Sequence, residues 1–563
     1  MTGKRPAPLD LLVMPAVLVA GTAMWLLHAQ AWDVGGRSPI LNYDTAQVAL
    51  AARELAWHGD LATPFALPVE LAHRGAPPWP LAAVQPGLVL VEAALFRAIP
   101  ARGGFAGSDP RAAFTLLLPF VCFLLAGAGL ALMVRHVALR WWPEVPPWAR
   151  AAAALVAGLA FVLDPEAQHF AIGGFTELPF TVGLMLALFG IALEVPSARP
   201  LRYGLLLGVT GLFRANMLWL APVLAAAAAW SAPAGRRPRV LALVLLGYAL
   251  PLAPWWFYKW REFGSPAWDL TRFVVWDGIG GRTWFSLYHQ PALPVLPHGL
   301  AAVALVAAKV ARNLPGLIGD MLMGPRGVWL GGLAGWLALA RPPRPLAAAA
   351  IAAIVAAALG MLGAAASIPW MRYLFPTRIV LEPIGMLALA ALVASLPRAS
   401  VTSAMRGTLL ALLAVIALGW GAWSSLRGLD EARASSRERG VPSTHTLTAL
   451  SIVLNERIPA GEPIMSNLGP ALAWQTNHPV VHLALAPEDV EPCRRRLDFR
   501  NIVLAFRDPR AAWGQWGEVM AREGLARTLP LGVAHETRFQ SQDGFTVVWL
   551  ELGPRAPALA DAR

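Results

Sequence analysis

Two carboxylates and two arginines stand out in a chain otherwise poor in charge. Asp44 lies in "LNYDTAQVALAARELAWHGD", Glu177 in "GGFTELPF", Arg214 in "GLFRAN" and Arg372 in "SIPWMRYLFP". A carboxylate can take the proton from an attacking hydroxyl or help to hold a divalent cation. The planar fork of arginine matches phosphate oxygens. Together these residue types could activate a hydroxyl and receive a phosphate. Each also has an ordinary reading. Asp44, with Gln47 three residues on, looks like a capping box. An acid such as Glu177 at the start of an apolar helix is favoured by the helix dipole. Arg372 at the edge of a span would snorkel to the interface. Arg214, deep in an apolar stretch, is costly and needs a partner.

Tyr43, His58, His73 and Arg74 surround the first acid in sequence and are candidate acceptor or loop contacts; for His73 and Arg74 a solvated loop is the plain account. Asp164 and Glu166 of "LDPEAQHF" read as a solvated helix end. Of the two cysteines, Cys122 falls in a span and Cys493 in the polar tail, which argues against a disulfide framework or thiol metal site. No CxxC, HExxH, P-loop or GxSxG pattern occurs, which argues against ATPase, zinc-protease and serine-hydrolase chemistry. No motif demands a cofactor, and the paired acids leave room for a divalent cation.

These residues must be positioned by membrane helices. Of 563 residues, 57% are hydrophobic and 14% charged, against roughly 25% charged in ordinary soluble domains. Runs such as "PLAAAAIAAIVAAALGMLGAAAS" are long enough to cross a hydrocarbon core, which takes about 20 helical residues. The formal charge of +12 is arginine beside apolar segments, which reports orientation rather than nucleic-acid binding. Tryptophans in "RWWPEVPPW" and "PWWFYKW" suit interfacial belts.

The sequence divides into a membrane-embedded part, 1–425, with a first external loop at 30–80, and a soluble part, 426–563. In the latter, "PIMSN", "PVVHLAL", "NIVLAF" and "FTVVWLEL" read as strands, and "DPRAAWGQWGEVMAREG" as a helix capped by its Asp. Spans are expected near 240–259, 327–340, 346–368, 371–396 and 405–424. Lys4 and Arg5 place the N-terminus in the cytoplasm, so Asp44 and the tail face the other side. The stretch from Arg202 to Arg236 is either a hairpin turning near "FRAN" or one long tilted helix. Arginines at 97, 102, 111, 135, 140 and 150 cannot all be cytoplasmic if 81–99 and 112–134 both cross. No internal repeat is visible. Residues 46–58 have the periodicity of an interfacial helix, with Val48, Ala52 and Leu55 on one face and Gln47, Glu54 and His58 on the other.

Taken in order, these segments resemble the C-type superfamily of integral-membrane glycosyltransferases, above all the branch of dolichyl-phosphate-mannose protein mannosyltransferases and lipid A aminoarabinose transferases. The matches are Asp44 in the first external loop, the interfacial helix after it, "APPWPLAAVQPG", the Thr-acid-x-Pro start at Thr176, Glu177 and Pro179, "GLLLGVTGLFR" ending at Arg214, "PWWFYKWREFGSP", "RYLFP", and "NLGPALAWQTNHPVV" in an α/β tail. Many relatives carry two adjacent acids at the first motif. Here Tyr43 and Thr45 flank Asp44, so a metal site using a neighbouring acid does not carry over.

The resemblance implies an all-α polytopic fold of about 11–13 spans or half-spans with a small α/β domain. It implies sugar transfer from a polyprenyl-phosphate carrier to a hydroxyl on a lipid, glycan or protein, on the non-cytoplasmic face of a bacterial inner membrane. Asp44 would be the base and Glu177 would orient the acceptor. Arg214 and Arg372 would hold the donor phosphate, membrane lipids would flank the carrier tail, and one displacement would invert the sugar carbon. Two rivals remain: a flippase for a lipid-linked sugar, and a non-catalytic envelope scaffold.

Overall fold

In the computed structural model, residues 8–32, 43–98, 111–395, 402–437, 441–508 and 512–554 are described. The chain starts with α1 (Pro8–Ala31), a span-length apolar helix. Then α2 (Tyr43–Trp57) and α3 (Pro86–Ala98) pack against each other, separated by the short strands β1 (Ala62–Thr63), β2 (Phe65–Ala66) and β3 (Trp79–Pro80). The 13 residues of α3 rise only about 20 Å, less than a hydrocarbon core. Arg97 at its end donates to the carbonyls of Leu55 and Ala56. Helix α3 therefore makes no full crossing, so Arg97 stays on the side of α2, while the next helix, the span-length α4 (Arg111–Trp141), separates it from Arg140 and Arg150.

The bundle continues with α4 (Arg111–Trp141), α5 (Pro147–Val162), α6 (Pro165–Ile172) and α7 (Glu177–Ala192). A 57° bend separates α5 from α6, because Pro165 cannot continue the ladder and Asp164 caps a new helix by accepting from the Ala167 amide. Next come α8 (Pro200–Gly211), α9 (Met217–Ser231) and α10 (Arg237–Phe263). Along α8 and α10, Gly204 lies against Val244 and Gly247, and Gly208 against Tyr248 and Pro251. The two helices thus run side by side in one direction, with backbones drawn together by glycine. The α9 helix returns to the start of α10 through a short turn, so α8 and α9 form a hairpin whose tip is Leu212–Asn216.

The remaining helices are α11 (Gly299–Leu322), α12 (Arg326–Leu339), α13 (Arg344–Ala366), α14 (Phe375–Ser395) and α15 (Ser403–Arg437). Among the described residues seven helices are long and apolar enough to cross, eight if the bent α5–α6 pair is one span, and α7 and α9 are shorter apolar helices. Span-length α11 is absent from the expected set, because Lys309, Arg312, Asn313 and Asp320 interrupt its hydropathy. Lys309 is nonetheless buried, donating to the Val275 carbonyl. The last helix, α15, runs unbroken to Arg437, beyond the division expected at 425, and its charged turns from Arg427 onward are solvated.

The tail holds α16 (Thr444–Arg457), α17 (Gly469–Gln475) and the strands β4 (Ile464–Ser466), β5 (Val480–His482), β6 (Asn501–Phe506), β7 (Val533–Gln540) and β8 (Thr546–Leu552). Its sheet has the order β2-β5-β4-β6-β8-β7, parallel from β2 to β6 and antiparallel beyond. Strand β2 comes from the first loop, so loop and tail share one sheet at the Asp44 end of the molecule. The helix expected from Asp508 is shorter, Trp516–Ala521, because Gly514 takes a left-handed φ of 55° just before it.

The glycine contact between α8 and α10 sets where the hairpin tip lies. A Cβ at Gly208 would sit 2.5 Å from the Tyr248 carbonyl oxygen, whereas one at Gly331 would meet nothing within 4 Å. Gly208→Val should destabilise the protein by about 1–3 kcal/mol and Gly331→Val by much less, read as unfolding midpoints in detergent micelles.

Candidate active site

Four segments converge on one cluster of charges. Asp44 is in the first turn of α2, Glu177 opens α7, Arg214 is at the hairpin tip, and Arg372 lies in a single 3₁₀ turn, Met371–Tyr373, between α13 and α14. Arg372 Nη2 donates to Asp44 Oδ2 at 2.6 Å and Arg372 Nε to Glu177 Oε1 at 2.7 Å. Arg214 Nη1 lies 2.8 Å from the same Glu177 oxygen and 3.4 Å from the Thr176 hydroxyl. The charges balance, two acids against two bases.

Exposure is graded across the cluster. The Glu177 side chain is 0% exposed and that of Arg214 12%, whereas Arg372 reaches 33% and Asp44 41%. The buried acid therefore anchors two guanidiniums, and the wet end presents a carboxylate beside one of them. The helix begins at Tyr43, so Asp44 falls inside its first turn and bonds Arg372 across 328 residues of sequence. The cap position itself falls on residue 42, outside the described residues.

The backbone around these groups is fixed by residues whose role the sequence reading missed. The Thr45 hydroxyl donates to the Gly173 carbonyl. Gly174, at φ 67°, leaves room that Thr45 fills, since a Cβ there would lie 2.6 Å from its methyl. Phe175 then places its ring under the Arg372 guanidinium, 4.5 Å from ring centre to Cζ, a cation–π contact. The signal was present as the glycine pair before "FTE".

The α2 helix is not simply interfacial. Residues Thr45 to Arg53 are all buried, Gln47 and Arg53 included, because the tail covers its polar side. Arg53 donates to the carbonyls of Ala473 and Trp474 near the end of α17 and sits over the Trp474 ring. Tyr43 meets Phe65 and His482 edge-on, both 5.7 Å away. The other loop candidates lie elsewhere. His58 follows the helix, about 21 Å from Asp44 along the axis, solvated and near Glu54. His73 meets the Phe263 ring at a tilt, with centres 4.7 Å apart, and Arg74 is exposed.

Asp164 and Glu166 are not a solvated end. Asp164 is buried and, with Glu166 and Glu382, surrounds the buried Arg378. Two further acids were overlooked. Glu70 is buried beside the loop, where it accepts from the Leu67 amide, and burial pushes its carboxyl up to about 7. Glu92 on α3 is buried with neither oxygen hydrogen-bonded, and its carboxyl is pushed up to about 8. No group of three or more His, Cys, Asp or Glu side chains placed to hold a metal occurs among the described residues.

No family model and no curated protein sequence matches the chain. Among solved structures, ArnT from Cupriavidus metallidurans bound to undecaprenyl phosphate matches with a TM-score of 0.53 and 14% identity, covering 95% of this chain and 99% of that one. The apo state of the same protein matches at 0.52 and 15%, with the same coverage. The likeness spans both the membrane bundle and the tail, and shows that the chain has the fold of this lipid A aminoarabinose transferase, the C-type fold.

Two expected outcomes follow from the charges. Removing the shared acid by Glu177→Gln takes the counter-charge from the partly buried Arg214 and one of two from Arg372, and should cost about 3–5 kcal/mol, read as a lowered unfolding midpoint in detergent. For Glu92, the folded carboxyl binds its proton more tightly than the unfolded one. Its stability contribution is full below about 4.5 and is lost as pH rises towards 8. Wild type should therefore lose on the order of 1–3 kcal/mol between pH 5 and pH 8 that Glu92→Gln does not lose, as measured by unfolding at both pH values.

Proposed function

We propose that this chain, carrying the C-type glycosyltransferase fold, moves a sugar from a polyprenyl-phosphate carrier to a hydroxyl acceptor, with inversion. The observation that carries the reading is Arg372, whose guanidinium lies between the exposed carboxylate of Asp44 and the buried one of Glu177. A base and an anion receptor thus sit within one side chain's width. The bound undecaprenyl phosphate of the structurally similar ArnT supports a polyprenyl-phosphate donor.

In this reading the donor phosphate approaches through the exposed face of Arg372. It draws Nη2 away from Asp44, while the Nε bond to Glu177 keeps the guanidinium in place. Asp44, released, accepts the proton of the acceptor hydroxyl as its oxygen attacks the anomeric carbon. The C–O bond to the carrier phosphate breaks on the opposite side. The growing charge on that phosphate is met by Arg372 and Arg214, preorganised donors in a poorly hydrated site. Glu177 is too buried to touch the acceptor, so in this reading its role is to fix the two arginines rather than to orient the acceptor directly. The site is read as facing the non-cytoplasmic side, as the arginine distribution implies. The loop and tail that flank Asp44 would meet the lipid, glycan or protein acceptor.

The test is complementation of a deletion strain, with mass spectrometry of envelope glycolipids, glycans and glycoproteins. Wild type should restore a sugar mass that deletion removes, and Asp44→Asn at equal membrane level should lower its formation by about 10²–10⁴-fold. Full restoration by Asp44→Asn would sink the catalytic role and favour the flippase or scaffold. Arg214→Ala should weaken transfer while leaving Asp44 in place, and purified wild type should bind undecaprenyl phosphate more tightly than Arg372→Ala.

A further inference from the structure

A second group of charges lies in the bundle, unused by the reaction above. Arg378, on the first turns of α14, is 0% exposed. Its Nη1 reaches Asp164 Oδ2 and Glu382 Oε1, both at 2.9 Å; its Nη2 reaches Glu166 Oε2 at 2.8 Å and Asp164 Oδ1 at 3.2 Å. Arg326 adds a bond to the same Glu382 oxygen. A guanidinium gripped by three carboxylates inside an apolar bundle is costly to build, and a membrane protein has cheaper ways to join two helices.

The position of this cluster along the chain is informative. Asp164 and Glu177 bracket one segment, α6 and the Gly173–Thr176 turn. Arg372 and Arg378 bracket another, the 3₁₀ turn and the start of α14. The two segments are joined by ion pairs at both ends, Arg378 with Asp164 and Arg372 with Glu177. Between them lies an unbroken line of rings. Phe375 lies under Arg378 with Cζ 5.7 Å from its centre, and Phe170 meets Phe375 edge-on at 4.8 Å. Phe175 meets Phe170 at 5.4 Å, interplanar angle 83°, and Arg372 caps Phe175. Phe170, Phe175 and Phe375 are all buried, so none of these rings can turn without moving its neighbour.

We propose that the Arg378–Asp164 pair is a positioning element for the reaction centre, acting through Phe375, Phe170 and Phe175 to fix where the Arg372 guanidinium meets the leaving phosphate. The proposal rests on the functional reading above for what Arg372 does, but not for the physical coupling. Arg372 sits in a single 3₁₀ turn on a partly wet face, which by itself would leave its long side chain several rotamers. The ring beneath it and the acid beside it remove that freedom, and both belong to the segment that Asp164 anchors.

The experiment uses the full-length protein in nanodiscs, with Asp164→Asn and the gentler Phe170→Leu, at a temperature well below each variant's unfolding midpoint. Hydrogen–deuterium exchange is read first. Coupling predicts that exchange in residues 171–177 and 371–375 rises at least tenfold in both variants while the β4–β6 sheet is unchanged. A rise confined to 164–169 and 378–382 would reduce the pair to a local staple and overturn the proposal. Turnover is read second, with an undecaprenyl-phosphate sugar pool extracted from the host membrane as donor. Both variants should lower kcat about tenfold at saturating donor. In an Arg372→Ala background, Asp164→Asn should lower it no further, because the group through which it acts is gone. A full, additive loss in that background would equally overturn the proposal. If wild type neither binds undecaprenyl phosphate nor transfers a sugar, the functional reading falls, and the exchange pattern alone decides the coupling.

Discussion

Everything near the site depends on one constraint: a fully buried carboxylate, Glu177, in an apolar bundle must be neutralised by groups brought from far away in sequence. Its oxygen Oε1 takes Arg214 from the tip of the α8–α9 hairpin and Arg372 from the turn before α14. Burying an unpaired charge would cost more than most single interactions in a protein contribute, so these segments have little choice of position. The hairpin must turn at Leu212–Asn216, and glycine packing of α8 on α10 lets it reach that point. The turn before α14 must project Arg372 inward. Once both cations are in place, the guanidinium of Arg372 extends past Glu177 towards water and finds Asp44 there. A structural demand in the dry half of the site thus sets the geometry of its wet half.

The tail answers a different demand. Asp44 stands at the start of a helix whose one face packs on α3, and a bare polar face would leave that helix free to shift on the membrane. The tail prevents this by covering it. Arg53 is anchored on the carbonyls at the end of α17, and β2 of the first loop is hydrogen-bonded into the tail's own sheet beside β5. Tyr43, immediately before the acid, is lodged between Phe65 of that strand and His482 of β5. The tail therefore braces the acid from the aqueous side as the Glu177 cluster does from the membrane side.

Much of this was legible in the residues. Runs of about 20 apolar residues locate most helices, since length and hydropathy decide membrane crossing almost without reference to tertiary structure. The "FRAN" turn could be inferred because an arginine inside an apolar stretch demands either a break or a partner, and the structure supplies both. The strands of the tail follow from β-branched runs, apart from β7, "VAHETRFQ", which alternates with too many charges to look like a strand. What could not be read was pairing across distance. Nothing local distinguishes Asp164, which buries itself on Arg378, from the solvated helix end it resembles. Nor does spacing reveal that two residues of the first loop complete a sheet more than 400 positions later. The α11 span was missed because four polar residues dilute its hydropathy. Hydropathy cannot know that Lys309 is spent on a carbonyl.

The balance of charges also gives a physical reason for pairing the acid with the arginine. An exposed carboxylate and an exposed guanidinium, each alone beside a membrane, would attract ions and lipid headgroups indiscriminately. Paired, they present nearly neutral surface, and only an anion able to compete for the guanidinium separates them. A phosphate can do this, because its oxygens match the guanidinium fork, of which Nη2 is the nitrogen bonded to Asp44. Under the proposed function, Asp44 would then lose its Arg372 bond as a phosphate takes its place. Such an order would discourage water from being activated in the absence of donor. It requires Arg372 to release Asp44 without leaving Glu177, which is what separate nitrogens for the two acids, Nη2 and Nε, allow.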